Sequence, residues 1–247
     1  MVGPAPGDGA GSAVVGYLLC GTPRTGSTLL CSLLASTGVA GRPESYFREP
    51  DEQTWARRLG VPVDSDGSFD YLAFARAVRD AGSTPNGVFA ARVMWGTMPR
   101  IVAGLDPTAR DLDALTAAFG PLRFVHLRRD DVVGQAVSWA RAEQTGFWQH
   151  GDRATASPRA DLDQIDDLVR TIAEHDAGWR GWFDRQGVEP WRVRYEDVVA
   201  DPDRTVRELL GQLGVEPPAG WRPDRPHRRQ ADEVNADWVR RYRARRG

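Results

Sequence analysis

Short apolar runs alternate along the chain with longer segments in which apolar residues recur at helical spacing. The short runs predict strands, because they are rich in Val, Leu, Phe and Trp and bounded by glycine, proline or charged residues. They occupy residues 14–20, 88–95, 124–127 and 191–195. The segments between them predict helices over residues 27–35, 51–59, 68–80, 98–105, 111–119, 132–142, 161–186, 202–213 and 232–245. This alternation predicts an α/β fold with a central, mainly parallel sheet flanked by helices.

The first predicted strand runs into a glycine-containing turn and then directly into a helix. The turn, Gly21 to Gly26, follows the pattern G-x-x-x-x-G-S-T, a phosphate-loop signature in which Ser27 replaces the lysine. Backbone N–H groups at a helix N-terminus favour an anion, and the hydroxyls of Thr25, Ser27 and Thr28 add hydrogen-bond donors. Without the lysine, this phosphate-loop-like turn suits one phosphate-like group better than a triphosphate.

Two further strand ends fall at the same predicted edge of the sheet, where open α/β sheets bind ligands. They are residues 128–131 and 195–197. Arg129 follows the third predicted strand, and Ser138 lies nine residues later in the next helix. An arginine fork with a serine hydroxyl suits a phosphate monoester, although such an arginine more often forms an ion pair with a neighbouring aspartate.

Composition narrows the range of functions. The 247 residues carry a net charge of −2, which argues against a nucleic-acid partner. All 32 basic residues are arginine, which excludes a mechanism that needs a lysine to grip a phosphate chain. The chain has no long apolar run, which predicts no membrane span, and its two cysteines, Cys20 and Cys31, predict buried thiols in a cytoplasmic protein. We expect residues 1–13 to be a disordered leader and residues 14–247 to form a single domain.

Several blocks of sequence stand out in order along the chain. Three of them are T-P-R-T-G-S-T-L-L, V-H-L-R-R-D-D-V-V-G-Q-A-V-S and R-Y-E-D-V-V-A-D-P. These blocks resemble sulfotransferases that use 3′-phosphoadenosine 5′-phosphosulfate. A narrower resemblance, to the bacterial trehalose 2-sulfotransferase-type family, is carried by T-G-V-A-G-R-P-E-S-Y-F, N-G-V-F-A-A-R-V-M-W, Q-A-V-S-W-A-R-A-E-Q-T-G-F-W and R-Q-A-D-E-V-N-A-D-W-V-R-R-Y-R. The resemblance implies a P-loop-like fold, a homodimer, and transfer of a sulfuryl group to a hydroxyl of a carbohydrate or glycosylated small molecule such as a trehalose-like acceptor.

The resemblance also implies which residues bind the donor nucleotide. They are Pro23, Arg24, Thr25, Gly26, Ser27, Thr28, Arg129, Ser138, Arg229 and Gln230. The loop residues would hold the 5′-phosphosulfate, while Arg129 and Ser138 would hold the 3′-phosphate. Arg229 and Gln230 would close over the same nucleotide. Arg24 would also act in catalysis, by neutralising charge that develops on the leaving phosphate oxygen. No metal is required, and no group of His and Cys residues with ligand spacing offers a site for one.

Four residues are candidates for binding the acceptor: Ser45, Arg92, Gln144 and Trp148. Arg92 lies in an otherwise apolar strand and therefore needs an anionic partner, which is either the transferred sulfuryl group or a structural carboxylate. Trp148 lies close to Gln144, and its ring would offer a flat apolar face to a sugar.

Sulfuryl transfer to a hydroxyl needs a base that removes the acceptor proton. In the family that this chain resembles, the base is a glutamate in the loop after the first helix, within a pattern like G-x-P-x-E-F-F. Here residues 41–47 read G-R-P-E-S-Y-F, so Ser45 stands at the expected position and Glu44 precedes it. We expect Glu44 to be the base, with Glu49 and His126 as alternatives. The loop leaves the far end of the helix, so only a long connection can bring Glu44 back to the site.

Two other functions are compatible with parts of the pattern. A phosphate-loop kinase or nucleotide triphosphatase would use the same strand, turn and helix, but the loop lacks the lysine that reaches the outer phosphates. A nucleotide-binding protein that has lost catalysis would explain Ser45 at the position of the expected base.

Overall fold

Four parallel strands form the centre of the structure, which is a computed structural model describing residues 16–148, 155–223 and 233–246. The strands are β1 (Gly16–Gly21), β2 (Phe89–Met94), β3 (Leu122–Arg128) and β4 (Trp191–Arg194). Their order in the sheet is β2-β1-β3-β4, and each neighbouring pair is parallel. The prediction of an α/β fold built on a parallel sheet is therefore confirmed, and each predicted strand lies within three residues of its observed ends.

Helices connect and cover the strands. They are α1 (Ser27–Ser36), α2 (Glu52–Arg58), α3 (Tyr71–Gly82), α4 (Met98–Leu105), α5 (Asp111–Phe119), α6 (Val132–Thr145), α7 (Leu162–Gln186), α8 (Tyr195–Ala200), α9 (Pro202–Leu213) and α10 (Glu233–Arg246). The short helix α8 was not predicted, because the strand was expected to run on through Tyr195. Asp131, Asp161 and Asp201 cap α6, α7 and α9 by accepting backbone N–H groups of the first turn.

The sheet separates two apolar layers. Tyr17 and Leu19 of β1 point towards α1 and α9, whereas Leu18 and Cys20 point towards α3, α4, α5 and α7. All six residues of β1 are buried, so this strand reads as a continuous apolar run because helices cover it on both faces. A third cluster joins α6, α7 and α10 beside the sheet.

The position of β1 decides where a ligand can bind. Strand β1 lies between β2 and β3. The chain therefore passes from β1 to its neighbour on one side, β2, and then crosses back to its neighbour on the other side, β3. Ligands of open α/β sheets bind beyond the carboxyl ends of the strands at such a reversal. The turn after β1 therefore opens into a crevice bordered by the ends of β2 and β3.

The long connection after α1 returns to this crevice along β2. Arg42 N donates to Gly82 O at 2.8 Å, and Arg92 N donates to Glu44 O at 2.9 Å. Gly41 makes this close approach possible: its φ is +72°, and a Cβ there would lie 2.8 Å from Ala90 N. The connection is thus held against the strand edge, and Glu44 and Ser45 are placed beside the carboxyl end of β2.

No helix within the described part of the chain is long and apolar enough to cross a membrane. The predicted leader, residues 1–13, lies outside the described residues.

Replacing Gly41 with Ala tests the packing of the connection on β2. A matched control is Gly38→Ala, since Gly38 also has a positive φ (+69°) but nothing lies within 4 Å of a Cβ there. The control should lose about 1 to 2 kcal/mol of unfolding free energy from backbone strain alone. Gly41→Ala should lose a further 1 to 3 kcal/mol or so, because the methyl group meets backbone. Urea unfolding measures both, and equal losses would contradict the close approach.

Candidate active site

The turn after β1 has the shape of an anion-binding loop. Arg24 (φ 66°) and Gly26 (φ 85°) both adopt the left-handed conformation, and Arg24 is the one non-glycine residue with a positive φ in the described chain. Thr25 folds back on Thr22, whose carbonyl accepts the Thr25 hydroxyl at 2.9 Å. Left-handed residues in a turn are typical of backbone concavities that bind anions through N–H groups, and this turn leads directly into the positive end of the α1 dipole. Strain at Arg24 is the kind that functional loops retain.

Two buried side chains form hydrogen bonds to this turn from inside the protein, and the sequence analysis predicted neither contact. The Gln135 amide of α6 donates to Thr22 Oγ1 at 2.6 Å and to Pro23 O at 2.8 Å. The Trp179 indole of α7 donates to Gly21 O at 2.9 Å. The only sequence signal was that Gln135 is a polar residue among apolar neighbours in α6. Trp179 follows the helical spacing of core residues and gave no separate signal.

Arg24 extends from the turn to α6 and to the segment after it. Its Nε donates to Ser138 Oγ at 2.9 Å, and its guanidinium also donates to the backbone carbonyl of Trp148. Ser138 was expected beside Arg129 as a 3′-phosphate ligand. The structure shows Ser138 in direct contact with Arg24, which ties the phosphate loop to helix α6.

Arg129 lies over the ring of Tyr195, with the guanidinium carbon 5.0 Å from the ring centre. It is buried, and its Nη2 lies 3.3 Å from Asp131 Oδ2. The Tyr195 ring also packs against the phosphate loop: a Cβ at Gly26 would lie 2.2 Å from it. Tyr195 therefore sits between Arg129 and the loop. The sequence analysis placed residues 195–197 at the edge of the sheet where ligands bind, but it did not predict this role for Tyr195.

A cavity of about 690 Å³ opens beside the phosphate loop. This volume is within the range of about 300 to 1,000 Å³ that small-molecule sites occupy. Loop residues form one wall, and the connection after α1, helix α2 and Trp148 form the others. The predicted site residues that line it are Pro23, Arg24, Ser27, Thr28, Glu44, Ser45, Arg92 and Trp148.

Arg92 joins the two sides of this cavity. Its Nε donates to Ser45 Oγ at 2.7 Å, and its Nη1 donates to Thr28 Oγ1 at 2.8 Å. The same Nη1 lies 3.4 Å from Ser27 Oγ. These partners are hydroxyls, so no carboxylate within the described residues hydrogen-bonds to this half-buried arginine. Arg92 thus presents a positive charge at the boundary between the loop and the rest of the cavity.

The three candidate bases occupy different environments. Glu44 is exposed and lines the cavity. Glu49 is exposed in a short 3₁₀ turn, Glu49–Asp51, and does not line the cavity. His126 is buried within β3, where its ring lies 5.4 Å from the ring of Phe183 on α7, and it is not part of the cavity wall. Of the three, only Glu44 faces the space where an acceptor can bind.

One of the predicted acceptor residues, Gln144, is not brought to the cavity. Gln144 donates to Gln164 Oε1 at 2.7 Å and accepts from Arg159 N at 2.8 Å, so it fastens α6 to α7 and the segment before it. Gln144 does not line the cavity. Arg229 and Gln230 lie outside the described residues. Within the described ranges, no group of three or more His, Cys, Asp or Glu residues is arranged to hold a metal ion.

Comparisons with known proteins identify the fold and the family of this chain. The structure is similar to the sulfotransferase domain from the curacin biosynthetic pathway, with a TM-score of 0.54 at 16% identity over 85% of this chain and 78% of that one. This similarity confirms the P-loop-like fold. The sequence model of the Stf0 sulphotransferase family matches residues 16–245, so the chain belongs to that family.

Two relatives cover almost the whole chain. The trehalose 2-sulfotransferase of Mycobacterium tuberculosis is 32% identical over 94% of this chain and 96% of the relative. The trehalose 2-sulfotransferase of Mycolicibacterium smegmatis is 33% identical over 92% of this chain and 94% of the relative. The predicted family resemblance is therefore confirmed.

The environment of His126 predicts a pH dependence of stability. Burial lowers the pKa of His126 to about 4, with a contribution from the positive charges of Arg128 and Arg192. The unfolded chain, with a histidine pKa of about 6.5, takes up this proton first as the pH falls. The contribution of His126 to the free energy of unfolding should therefore be complete above a pH of about 6.5. It should fall by about 3 kcal/mol as the pH decreases to about 4.

The measurement compares urea unfolding of the wild type with that of His126→Leu between pH 7 and pH 4. Carboxylates contribute to the slope in both proteins, so the difference between the two curves isolates His126. Parallel curves would show that His126 titrates normally in the folded protein.

Proposed function

We propose that this protein transfers a sulfuryl group from 3′-phosphoadenosine 5′-phosphosulfate to a hydroxyl of a sugar-containing small molecule. The observation that carries the proposal is one cavity with two unlike walls. The phosphate loop, with Arg24, Ser27 and Thr28, forms one wall, and a carboxylate, Glu44, lies on the other. A group-transfer enzyme needs this arrangement, because the donor anion and the acceptor hydroxyl must be held next to each other in one site.

The loop suits a single phosphosulfate better than a triphosphate. Its backbone N–H groups, with the Ser27 and Thr28 hydroxyls, supply donors for a compact anion. Arg92 bonds to those hydroxyls and brings a positive charge to the place where the sulfuryl oxygens would lie. In this proposal Arg92 binds the transferred group, which is one of the two partners that the sequence left open for it.

The nucleotide's 3′-phosphate is assigned to Arg129. This guanidinium is held between the Tyr195 ring and Asp131, so its direction is determined before a ligand binds. Arginine forks bind phosphate oxygens in pairs. Ser138 remains a candidate for the same phosphate, acting beside Arg24, to which it is hydrogen-bonded.

Residues on both walls take part in the transfer step. Glu44 accepts the proton of the acceptor hydroxyl while that oxygen forms its bond to sulfur. The bond between sulfur and the bridging oxygen breaks, and its electron pair stays with the phosphate of the departing adenosine 3′,5′-bisphosphate. Arg24 stabilises the negative charge that develops there, and Arg92 stabilises the sulfuryl oxygens. Proton and electron pair are accounted for without a metal ion.

The acceptor is proposed to contain a sugar. Both relatives described above are named trehalose 2-sulfotransferases, and the cavity has the volume of a small-molecule site. Trp148 lies on its wall as a ring that a sugar can approach. A homodimer and a cytoplasmic location stay predictions.

Incubation with ³⁵S-labelled donor and a panel of metabolites that includes trehalose, with mass detection of the product, tests the proposal directly. Sulfate transfer to at least one sugar hydroxyl is expected. Tight binding of adenosine 3′,5′-bisphosphate with no transfer to any acceptor would instead favour the nucleotide-binding protein without catalysis that Ser45 suggested. Magnesium-dependent ATP turnover, with no binding of the bisphosphate, would favour a kinase.

Arg129→Ala should weaken adenosine 3′,5′-bisphosphate binding by about 10- to 100-fold, because a charge-assisted phosphate contact is lost. Binding of adenosine 5′-phosphate, which lacks the 3′-phosphate, should change little. Calorimetry of both ligands gives the comparison, and Arg123→Ala, an exposed arginine at the start of β3, is the control. Equal losses for the two nucleotides would remove Arg129 from this role.

Glu44→Gln should lower the turnover number by about 10²- to 10⁴-fold, the usual contribution of a general base. Nucleotide affinity should stay nearly unchanged, since Glu44 lies on the opposite wall from the loop. The matched control is Glu49→Gln, which changes an exposed glutamate of the same connection outside the cavity. The assignment is wrong if Glu44→Gln keeps its rate, and a loss confined to Glu49→Gln would transfer the role to Glu49.

A further inference from the structure

The wall of the cavity opposite the phosphate loop carries more positive than negative charge. Its cations are Arg48, Arg58 and Arg92, and its carboxylates are Glu44 and Asp51. Arg92 belongs to the sulfuryl group in the proposed function, so the question for the acceptor is whether it uses either of the other two cations, Arg48 and Arg58. The inference below concerns the acceptor and therefore rests on the proposed function.

The contacts of these charged side chains show which cation is available to bind a ligand. Arg48 pairs with Asp51 at 3.2 Å. Arg92 bonds to hydroxyls next to the phosphate loop, where the sulfuryl group is expected. Glu44 must stay ionised and uncommitted to act as the base. Arg58 is different, because the contact recorded for it among the described residues is the face of the Trp55 ring, 5.5 Å from the guanidinium carbon.

Contact with a ring leaves the donors of a guanidinium available. The ring meets the flat face of the group, whereas the five N–H bonds point outwards in its plane. Trp55 is itself held by the edge of Tyr46, 4.9 Å between ring centres, and Tyr46 donates to Arg42 O at 2.9 Å. Arg58 thus rests on a supported aromatic platform at the cavity wall.

The same pattern recurs across the cavity. The guanidinium carbon of Arg48 lies 5.9 Å from the ring centre of Trp148. One face of each tryptophan on the wall, Trp55 and Trp148, is therefore covered by an arginine. A covered face is not open for stacking on a sugar, and the arginine that lies on it adds a planar set of N–H donors to the wall.

We propose that the acceptor carries an oxyanion, either a carboxylate or a phosphate monoester, which Arg58 binds while the acceptor hydroxyl lies against Glu44. Arginine pairs with both kinds of oxyanion through two parallel hydrogen bonds. The cation also offsets the repulsion that an anionic acceptor would meet from the ionised Glu44. The acceptor class is thus an acidic or phosphorylated sugar.

The test uses pairs of acceptors that differ in charge. Trehalose is compared with trehalose 6-phosphate, and methyl glucoside with methyl glucuronide, so the two arms separate phosphate from carboxylate. With 3′-phosphoadenosine 5′-phosphosulfate as donor, the anionic member of at least one pair should have a kcat/KM about 10-fold or more higher at low salt. Added salt should reduce the preference, because the contact lies at an open wall.

Variants of neighbouring arginines connect the preference to Arg58. Arg58→Met keeps much of the side-chain length, removes the charge, and should abolish the preference for the anionic acceptor. Arg58→Lys should keep part of it. Arg57→Met is the matched control, because Arg57 is also exposed on α2 but does not line the cavity. An equal loss in Arg57→Met, or an unchanged preference in Arg58→Met, would overturn the proposal.

A binding measurement separates failure of this inference from failure of the proposed function. Calorimetry with the adenosine 3′,5′-bisphosphate complex should show that the anionic acceptor binds and that Arg58→Met weakens it, even if no sulfate is transferred. Such binding without transfer would support the inference and count against the proposed catalysis. Transfer to neutral sugars with equal efficiency would overturn the inference and leave the proposed function standing. If neither anionic sugar binds, the inference is wrong.

Discussion

The site depends on how the turn after β1 is held. Backbone N–H groups can bind an anion only if they are fixed in direction, and this turn has no lysine to supplement them. The buried amide of Gln135 and the indole of Trp179 bind its carbonyl and hydroxyl oxygens from beneath, at 2.6 to 2.9 Å. These contacts satisfy the acceptors of the turn inside the protein, where a buried acceptor without a partner would cost about 1 to 3 kcal/mol. The strained backbone of Arg24 is sustained by the same contacts.

A second constraint brings the opposite wall of the cavity into place. The connection after α1 is hydrogen-bonded along β2, and Gly41 permits the close approach. Because Glu44 accepts a backbone N–H from Arg92, the carboxylate wall and the Arg92 side chain share one anchoring point. Arg92 then bonds to Thr28 at the start of α1. The distance between the two walls is therefore set by the pairing of β1 with β2.

Sequence reasoning was most successful where the pattern is local. The helices α4, α5 and α9 were predicted with their observed bounds, because apolar spacing and, for α9, a proline start and a glycine end are readable within a few residues. It was less successful for side chains that act across elements. Tyr195 was taken as the end of a strand, although it begins α8 and packs under Arg129. Gln144 was expected beside the acceptor because it neighbours Trp148 in the sequence, whereas its amide is directed towards α7.

The sequence by itself determined the class of fold, the phosphate loop without lysine and the family, because strand–turn–helix order and short motifs are properties of neighbouring residues. Only the tertiary structure decided which of three candidate bases faces the cavity, since the sequence does not show that Glu44 lines it while Glu49 and His126 do not. It also decided that Ser138 contacts Arg24 and that Arg58 lies on Trp55 at the cavity wall. The physical reason is that contacts between distant segments follow from strand order and packing, which one-dimensional spacing does not specify.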